Sequence, residues 1–230
     1  MNQPFSIAQQ EQAIKSFMPR VYLWMFAALL VTAVVAWTTF GSEALQNLFF
    51  GNPFITIGLF IVQIVLVIAL SAAINRLSTP VAMLIFFAYA ALTGVVFSSI
   101  FLVYTGTSIA STFVATAGMF GVMSIIGLTT GMDLTRIGNI AFMALIGIII
   151  ASLINFFLQS EALYWIISVV GVLVFIVLIA RDTQKLKELA YQTDVNSEQG
   201  SKASITGALV LYLDFINLFL FLLRLFGNRR

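Results

Sequence analysis

Residues 205–226 read ITGALVLYLDFINLFLFLLRLF. The run is long enough to cross about 30 Å of hydrocarbon, which takes roughly 20 helical residues. One carboxylate, Asp214, sits almost at its middle. An ionised Asp at the centre of a membrane helix costs about 2.5–3.5 kcal/mol on insertion scales. A membrane protein keeps such a residue where it is paired, protonated or facing a watery cavity. What Asp214 pairs with is therefore the functional question.

Composition agrees with a lipid environment. Of the 230 residues, 61% are hydrophobic and 9% charged, and the mean hydropathy is +1.06. Soluble domains carry about 25% charged residues. The net charge of +2 is small, and no basic run has the length or interleaved aromatics of a nucleic-acid face; no nucleic-acid partner is expected. Cysteine and histidine are both absent, so disulfides, thiolate chemistry, histidine switches and the usual zinc, haem and iron–sulfur ligands are excluded. No resident cofactor is expected. A group titrating near neutral pH must be a perturbed Asp, Glu or Lys.

Outward from the last run, the pattern is an all-α membrane protein of seven spans. Residues 1–20 form a polar amino-terminal tail, and 21–230 form a single membrane domain. The first span is Val21 to Phe40, with Tyr22, Trp24 and Trp37 near its ends like an aromatic belt. A signal peptide would show a small-residue cleavage site after its apolar run, so this span is read as uncleaved. A loop covers Gly41 to Pro53. Further spans are 54–74, 81–102, 108–128, 140–158 and 163–180. Residues 181–204 join the sixth span to the last. The first half of this stretch keeps helical spacing through Leu186 and Leu189, and the remainder is expected to be a flexible linker.

Lys and Arg gather on the cytoplasmic side of a membrane. With the amino terminus inside, the inner segments hold Lys15, Arg20, Arg76, Arg136, Arg181, Lys185, Lys187 and Lys202, and the outer side holds only Arg224, Arg229 and Arg230. A re-entrant last run would put all eleven inside, which the charge rule alone prefers, but residues 205–226 hold no Pro and only Gly207 to break a helix, so seven spans with a cytoplasmic amino terminus are the expected arrangement.

Asp214 is the one acid embedded in a span; the other eight lie in tails, loops or at span boundaries. Its helical neighbours include Asn217, whose amide can donate to a carboxylate without neutralising it. Asp182 closes the sixth span, and the loop after it can return the last helix alongside. Two carboxylates brought together cannot both ionise cheaply and so share a proton, which suits a proton sensor or a transient cation site at Asp182 and Asp214. Equally, Asp182 can cap a helix end or pair with Arg181 or Lys185. By hydropathy Asp214 lies about 13 Å inside its span while Asp182 lies at the edge of its own. Arg76, the sole charge between the second and third spans, is either a cytoplasmic anchor or a latch on the pair. Gln63 either lines a passage or bonds a neighbour. The small-residue pairs Gly94 with Ser98 and Ala117 with Gly121 read as helix-packing positions.

Three blocks carry a resemblance: TGVVFSSIFLVYTGTSIASTFVATAGMFG (93–121), DTQKLK (182–187) and GALVLYLDFINLFLFLLRLFG (207–227). Together they resemble the Bax inhibitor-1, or transmembrane Bax inhibitor motif, family, and within it the bacterial inner-membrane branch. The resemblance implies seven helices, the last one central and wrapped by two groups of three. It also implies a pH-sensitive calcium leak in which the Asp of the DTQ motif and the Asp of the last helix form a hydrogen-bonded pair that an arginine after helix two can engage. Those positions match Asp182, Asp214 and Arg76. The chain departs from the family in two places. Arg181 stands where the family often has Tyr, biasing the pair toward ionisation. The second span has no acid where some leak-competent members carry one, only Gln63.

The expected function is a pH-sensitive calcium or cation leak gated by Asp182 and Asp214, with Arg76 in the gate and Asn217, Gln63 and Arg181 supporting it. Calcium prefers six to eight oxygen ligands, so two carboxylates imply weak, transient binding. The alternative is a non-conducting regulator that binds other membrane proteins, such as a quality-control protease. No enzymatic activity is expected. Intramembrane aspartyl proteases place their second Asp in GxGD and carry a later Pro-containing motif; here that Asp sits in LYLD and all four prolines precede it.

Overall fold

The computed structural model describes residues 7–230, with side chains from Glu11 onward except at Asn75. In chain order the helices are α1 (Ile7–Phe40), α2 (Glu43–Phe50), α3 (Pro53–Ala72), α4 (Thr79–Phe97), α5 (Ile100–Val103), α6 (Gly106–Thr129), α7 (Thr135–Leu158), α8 (Glu161–Gln192) and α9 (Glu198–Phe226), with a 3-10 turn at Ile74–Arg76 between α3 and α4. Seven helical stretches are long and apolar enough to cross a membrane, α4 and α5 together making one of them. The protein is an all-α membrane protein of seven spans.

Local chemistry sets several boundaries. Asn52 caps α3, its side chain accepting from the Phe54 N–H at 2.9 Å, and Pro53 occupies the first turn, where its missing N–H costs nothing. Thr105 caps α6 by accepting from Ser108 N–H.

Three expected boundaries are corrected. Residues 7–20 are helical and continuous with α1, so the described part of the polar tail belongs to the first helix; Met1–Ser6 lie outside the described residues. Pro19 sits inside that helix, where buried Phe17, Met18 and Val21 offset the lost backbone bond. The first loop contains α2, whose Ser42 cap starts a short helix. The first half of 181–204 is helical as its spacing indicates, α8 running to Gln192, but the expected linker after it is mostly helix too: α9 starts at Glu198, and only 193–197 turn the chain. Arg20 of α1 fixes that turn by donating to the Val195 carbonyl at 2.8 Å and to Asn196 Oδ1 at 3.1 Å.

The chain divides into two compact units, 1–103 with 188–212 and 104–187 with 213–230. In the first unit α1 lies against α4 and α3 against α4. The approach of α1 to α4 is close because Gly94 has no side chain: a Cβ there would stand 2.6 Å from the Thr32 carbonyl oxygen and 2.8 Å from Val35 Cβ. Ser98, one turn on, is also buried. The pair Ala117 and Gly121 behaves differently. Ala117 is exposed, and a Cβ on Gly121 would meet nothing within 4 Å, so that pair is not a packing notch. The amino-terminal half of α9 buries Tyr212 completely in this unit. Its ring meets Phe86 and Tyr89 edge-on, and its hydroxyl shares a 2.7 Å hydrogen bond with Thr32.

Of the seven spans α9 has the largest buried share, 61% of its apolar window against 11–44% in the others. That burial fits a helix with a polar residue to hide. A contrast of two alanine substitutions tests the packing. Gly94→Ala should lower the melting temperature in detergent, since crowding of this kind costs about 1–3 kcal/mol. Gly118→Ala, where a Cβ meets nothing within 4 Å, should hold or raise it through better helix propensity.

Candidate functional site

In the second unit the segment Ala180–Lys187 of α8 is seated by two glycines. A Cβ on Gly127 of α6 would collide with the Ala180 carbonyl and the Thr183 side chain, and one on Gly138 of α7 would run into the Arg181 side chain. With hydrogen in those places, α6 and α7 close on α8 where its charged residues begin. Arg181 Nη1 donates to Asp182 Oδ1 at 2.8 Å, with both side chains 14% exposed. Its Nη2 reaches Asn139 Oδ1 at 3.3 Å. Asp182 is thus ion-paired with its sequence neighbour, one of the arrangements open from spacing alone.

Three further residues of the DTQKLK segment, Thr183, Gln184 and Lys187, fasten α6 and its connection to α7. Thr183 is fully buried, its hydroxyl 3.5 Å from that of Ser124. Gln184 uses both ends of its amide: Nε2 donates to the Met132 carbonyl and Oε1 accepts from Leu134 N–H, each at 2.8 Å. Lys187 donates to the Leu128 carbonyl at 2.7 Å, placing a cation at the end of α6 where helix carbonyls are left over. Beside this clasp, Asp133 accepts from Thr135 N–H at 2.8 Å, and bonds from Thr135 hold its carboxyl below the usual range.

Asp214 lies in the carboxy-terminal half of α9 and is 5% exposed. Its Oδ2 is buried without a hydrogen-bond partner. The charges acting on its carboxyl are those of Asp182 and Arg181, while Asp182 in turn feels Arg181 and Lys185. Arg181, Asp182 and Asp214 thus make a charge cluster in which only Arg181 and Asp182 are joined by a hydrogen bond and Asp214 Oδ2 has no partner. The apparent difference in depth narrows because both helices are longer than hydropathy indicates. Asp182 is ten residues before the end of α8 and Asp214 sixteen after the start of α9, about 15 and 24 Å along continuous helix. Neither is at a helix edge.

The other sequence candidates are placed differently. Asn217 donates to the Leu213 carbonyl at 2.8 Å, one turn back, so its amide is engaged by its own backbone. Arg76 is exposed on the 3-10 turn of the first unit, and Gln63 is half-buried in α3 of that unit. Among the described residues no three His, Cys, Asp or Glu side chains gather to hold a metal ion. Sequence reasoning missed Asn139, Gly127, Gly138 and Ser124. The glycines flank the α6–α7 connection and could have been suspected there; nothing in spacing marks Asn139 as the partner of Arg181.

Residues 14–230 match the family model described as inhibitor of apoptosis-promoting Bax1. The inner membrane protein YbhL of Escherichia coli K12 is 56% identical over 226 residues, covering 98% of this chain and 97% of that protein. An uncharacterized protein of Rickettsia prowazekii is 44% identical over 220 residues, covering 96% of this chain and 92% of its own length. An uncharacterized membrane protein of Streptococcus pyogenes serotype M3 is 37% identical over 230 residues, covering 99% of both.

The clasp is testable without reference to function. Gln184→Ala removes two bonds, each contributing about 0.5–1.5 kcal/mol, so amide exchange and protease cleavage at 130–134 should accelerate roughly tenfold. Lys185→Ala, with the neighbouring exposed residue changed, should leave both rates unaltered.

Proposed function

This chain belongs to the Bax inhibitor-1 family, and from its buried acid cluster we propose that it is a pH-sensitive cation leak, with calcium as a substrate ion, in the inner membrane of a bacterium. The observation that carries this reading is Asp214: 5% exposed, one oxygen without a donor, and acted on by the charges of Asp182 and Arg181.

The charges count simply. Lys185 also acts on Asp182 but is exposed and screened by solvent, so with one proton on the two carboxylates the buried cluster of Arg181, Asp182 and Asp214 is neutral. Without it the cluster carries one net negative charge inside an apolar bundle, which costs several kcal/mol unless water or a cation enters. Proton occupancy is thereby coupled to the entry of a cation, and the cation held is a transient substrate rather than a resident metal. Two carboxylates supply a minority of the six to eight oxygens calcium prefers; carbonyls, hydroxyls and water would complete the shell. The buried hydroxyl of Ser124 on α6, 3.5 Å from that of Thr183, is an oxygen of that kind beside the DTQKLK segment. In this reading the amino terminus is cytoplasmic, and Arg76, on the turn after α3, is a cytoplasmic charge of the first unit. The protein acts as a conduit rather than as an enzyme.

Liposome flux across a pH series tests the proposal. The wild type should pass calcium with a rate that changes with pH, and Asp214→Asn should flatten that dependence while the protein remains folded. Asp182→Asn should alter it too, since it leaves Arg181 without its acid. Undiminished pH dependence in Asp214→Asn would remove the pair as the sensor. Absence of flux from the wild type, together with a stably co-purifying membrane protein, would point instead to a non-conducting regulator.

A further inference from the structure

The second unit has polar features at the end opposite its acid cluster, around the α7–α8 turn. Gln159 adopts φ 50 there, a left-handed conformation that glycine takes more easily, and Asn155 Oδ1 accepts from Ser160 N–H at 3.0 Å to hold the turn. A cavity of about 610 Å³ opens beside it, lined by Asn155, Gln159, Glu161, Tyr164, Trp165 and Arg229 among others. A second, of about 340 Å³, shares Asn155, Gln159 and Tyr164 and adds Arg224.

Two guanidinium groups converge on Tyr164. The carbon of each, Arg224 and Arg229, lies 5.8 Å from the ring centre, and Arg229 Nη2 donates to the Tyr164 hydroxyl at 3.3 Å. Arg229 is near the carboxy terminus but is held in place: Thr105 N–H donates to the Asn228 carbonyl at 3.1 Å, and Asn228 N–H to Ser108 Oγ at 2.8 Å. Neither arginine takes part in an ion pair among the described residues. Glu161 is the only acid lining either cavity, leaving an excess of positive charge. Two cations held at one ring without a carboxylate partner call for an anion. Around the same turn Trp165, Phe156 and Phe157 are 62%, 75% and 82% exposed, which is a surface for acyl chains and an interfacial aromatic belt.

We propose that this pocket binds the headgroup of an anionic phospholipid, its phosphate held by Arg224 and Arg229 beside Tyr164 and its chains lying along the exposed aromatics of α7 and α8. Arginine suits this task because its planar fork matches phosphate oxygens in pairs. The Asn155 and Gln159 amides and the Glu161 carboxylate offer partners to headgroup hydroxyls. The neighbouring aromatics favour a lipid over free phosphate, and the charge excess favours an anionic headgroup over a zwitterionic one.

The full-length protein, purified in a neutral detergent and incubated with mixed micelles of equal phosphatidylglycerol and phosphatidylcholine, should retain at least tenfold more phosphatidylglycerol by native mass spectrometry. Arg224→Gln with Arg229→Gln should reduce the two lipids to parity, and the paired Lys substitutions should keep most of the preference. Asp214→Asn should keep all of it, which separates this site from the proposed leak. Equal retention of both lipids by the wild type would overturn the proposal, as would an unchanged preference in the double Gln protein. Loss of phosphatidylglycerol to millimolar inorganic phosphate would identify a free-anion site and overturn the lipid assignment. These lipid and phosphate arms use the wild type alone, so they decide the matter even if the double variant does not fold.

Discussion

A carboxylate in an apolar helix has to be answered by other charges or by a proton, and Asp214 sets that requirement for the second unit. The answer comes from one stretch of α8. Arg181 and Asp182 lie there side by side, and both act on Asp214. They can do so because α6 and α7 contribute glycines where α8 needs room: Gly127 against Ala180 and Thr183, Gly138 against Arg181. Packing thus precedes electrostatics. Were either glycine larger, the helices would part and the charged residues would lose their dry, shared environment.

The same stretch of α8 has a mechanical role. Gln184 and Lys187, two and five residues beyond Asp182, fasten the end of α6 and the connection to α7 through backbone carbonyls and an amide. A shift of α8 in response to the charge of the cluster would be passed directly to those contacts. In the proposed leak this offers a route from a proton to a helix movement, carried by hydrogen bonds within one unit.

The proposed lipid pocket is a chemical counterpart at the other end of the unit. There two arginines face one acid, Glu161, whereas in the acid cluster two carboxylates face one arginine, which bonds Asp182. Excess positive charge at the edge of a bilayer is met by phosphate; excess negative charge within it must be met by a proton or a metal cation. The two sites use different residues and make separable demands on the molecule.

Much of this was legible in the chain. Twenty-residue apolar runs determine the seven spans, because a backbone in hydrocarbon must satisfy its own hydrogen bonds by forming helices. The absence of His and Cys, and a single embedded acid among nine, single out Asp214 before any geometry is known. Helical spacing carried α8 past its apolar stretch, as found, but hydropathy misplaced the start of α9, which begins at Glu198, seven residues before the apolar run, and leaves 193–197 to turn. The partners were harder to read. Asp182 could pair with its neighbour or with Asp214, and the hydrogen bond the fold makes is the one to Arg181, while Asp214 Oδ2 has no partner. Asn217, well spaced to serve Asp214, bonds its own backbone instead. Sequence by itself determined which residues are too costly to leave unanswered in lipid, since that depends on type and position along a helix. Only the tertiary structure decided what answers them, since that depends on which helices glycine allows to approach and which side chains then come within a hydrogen bond's reach.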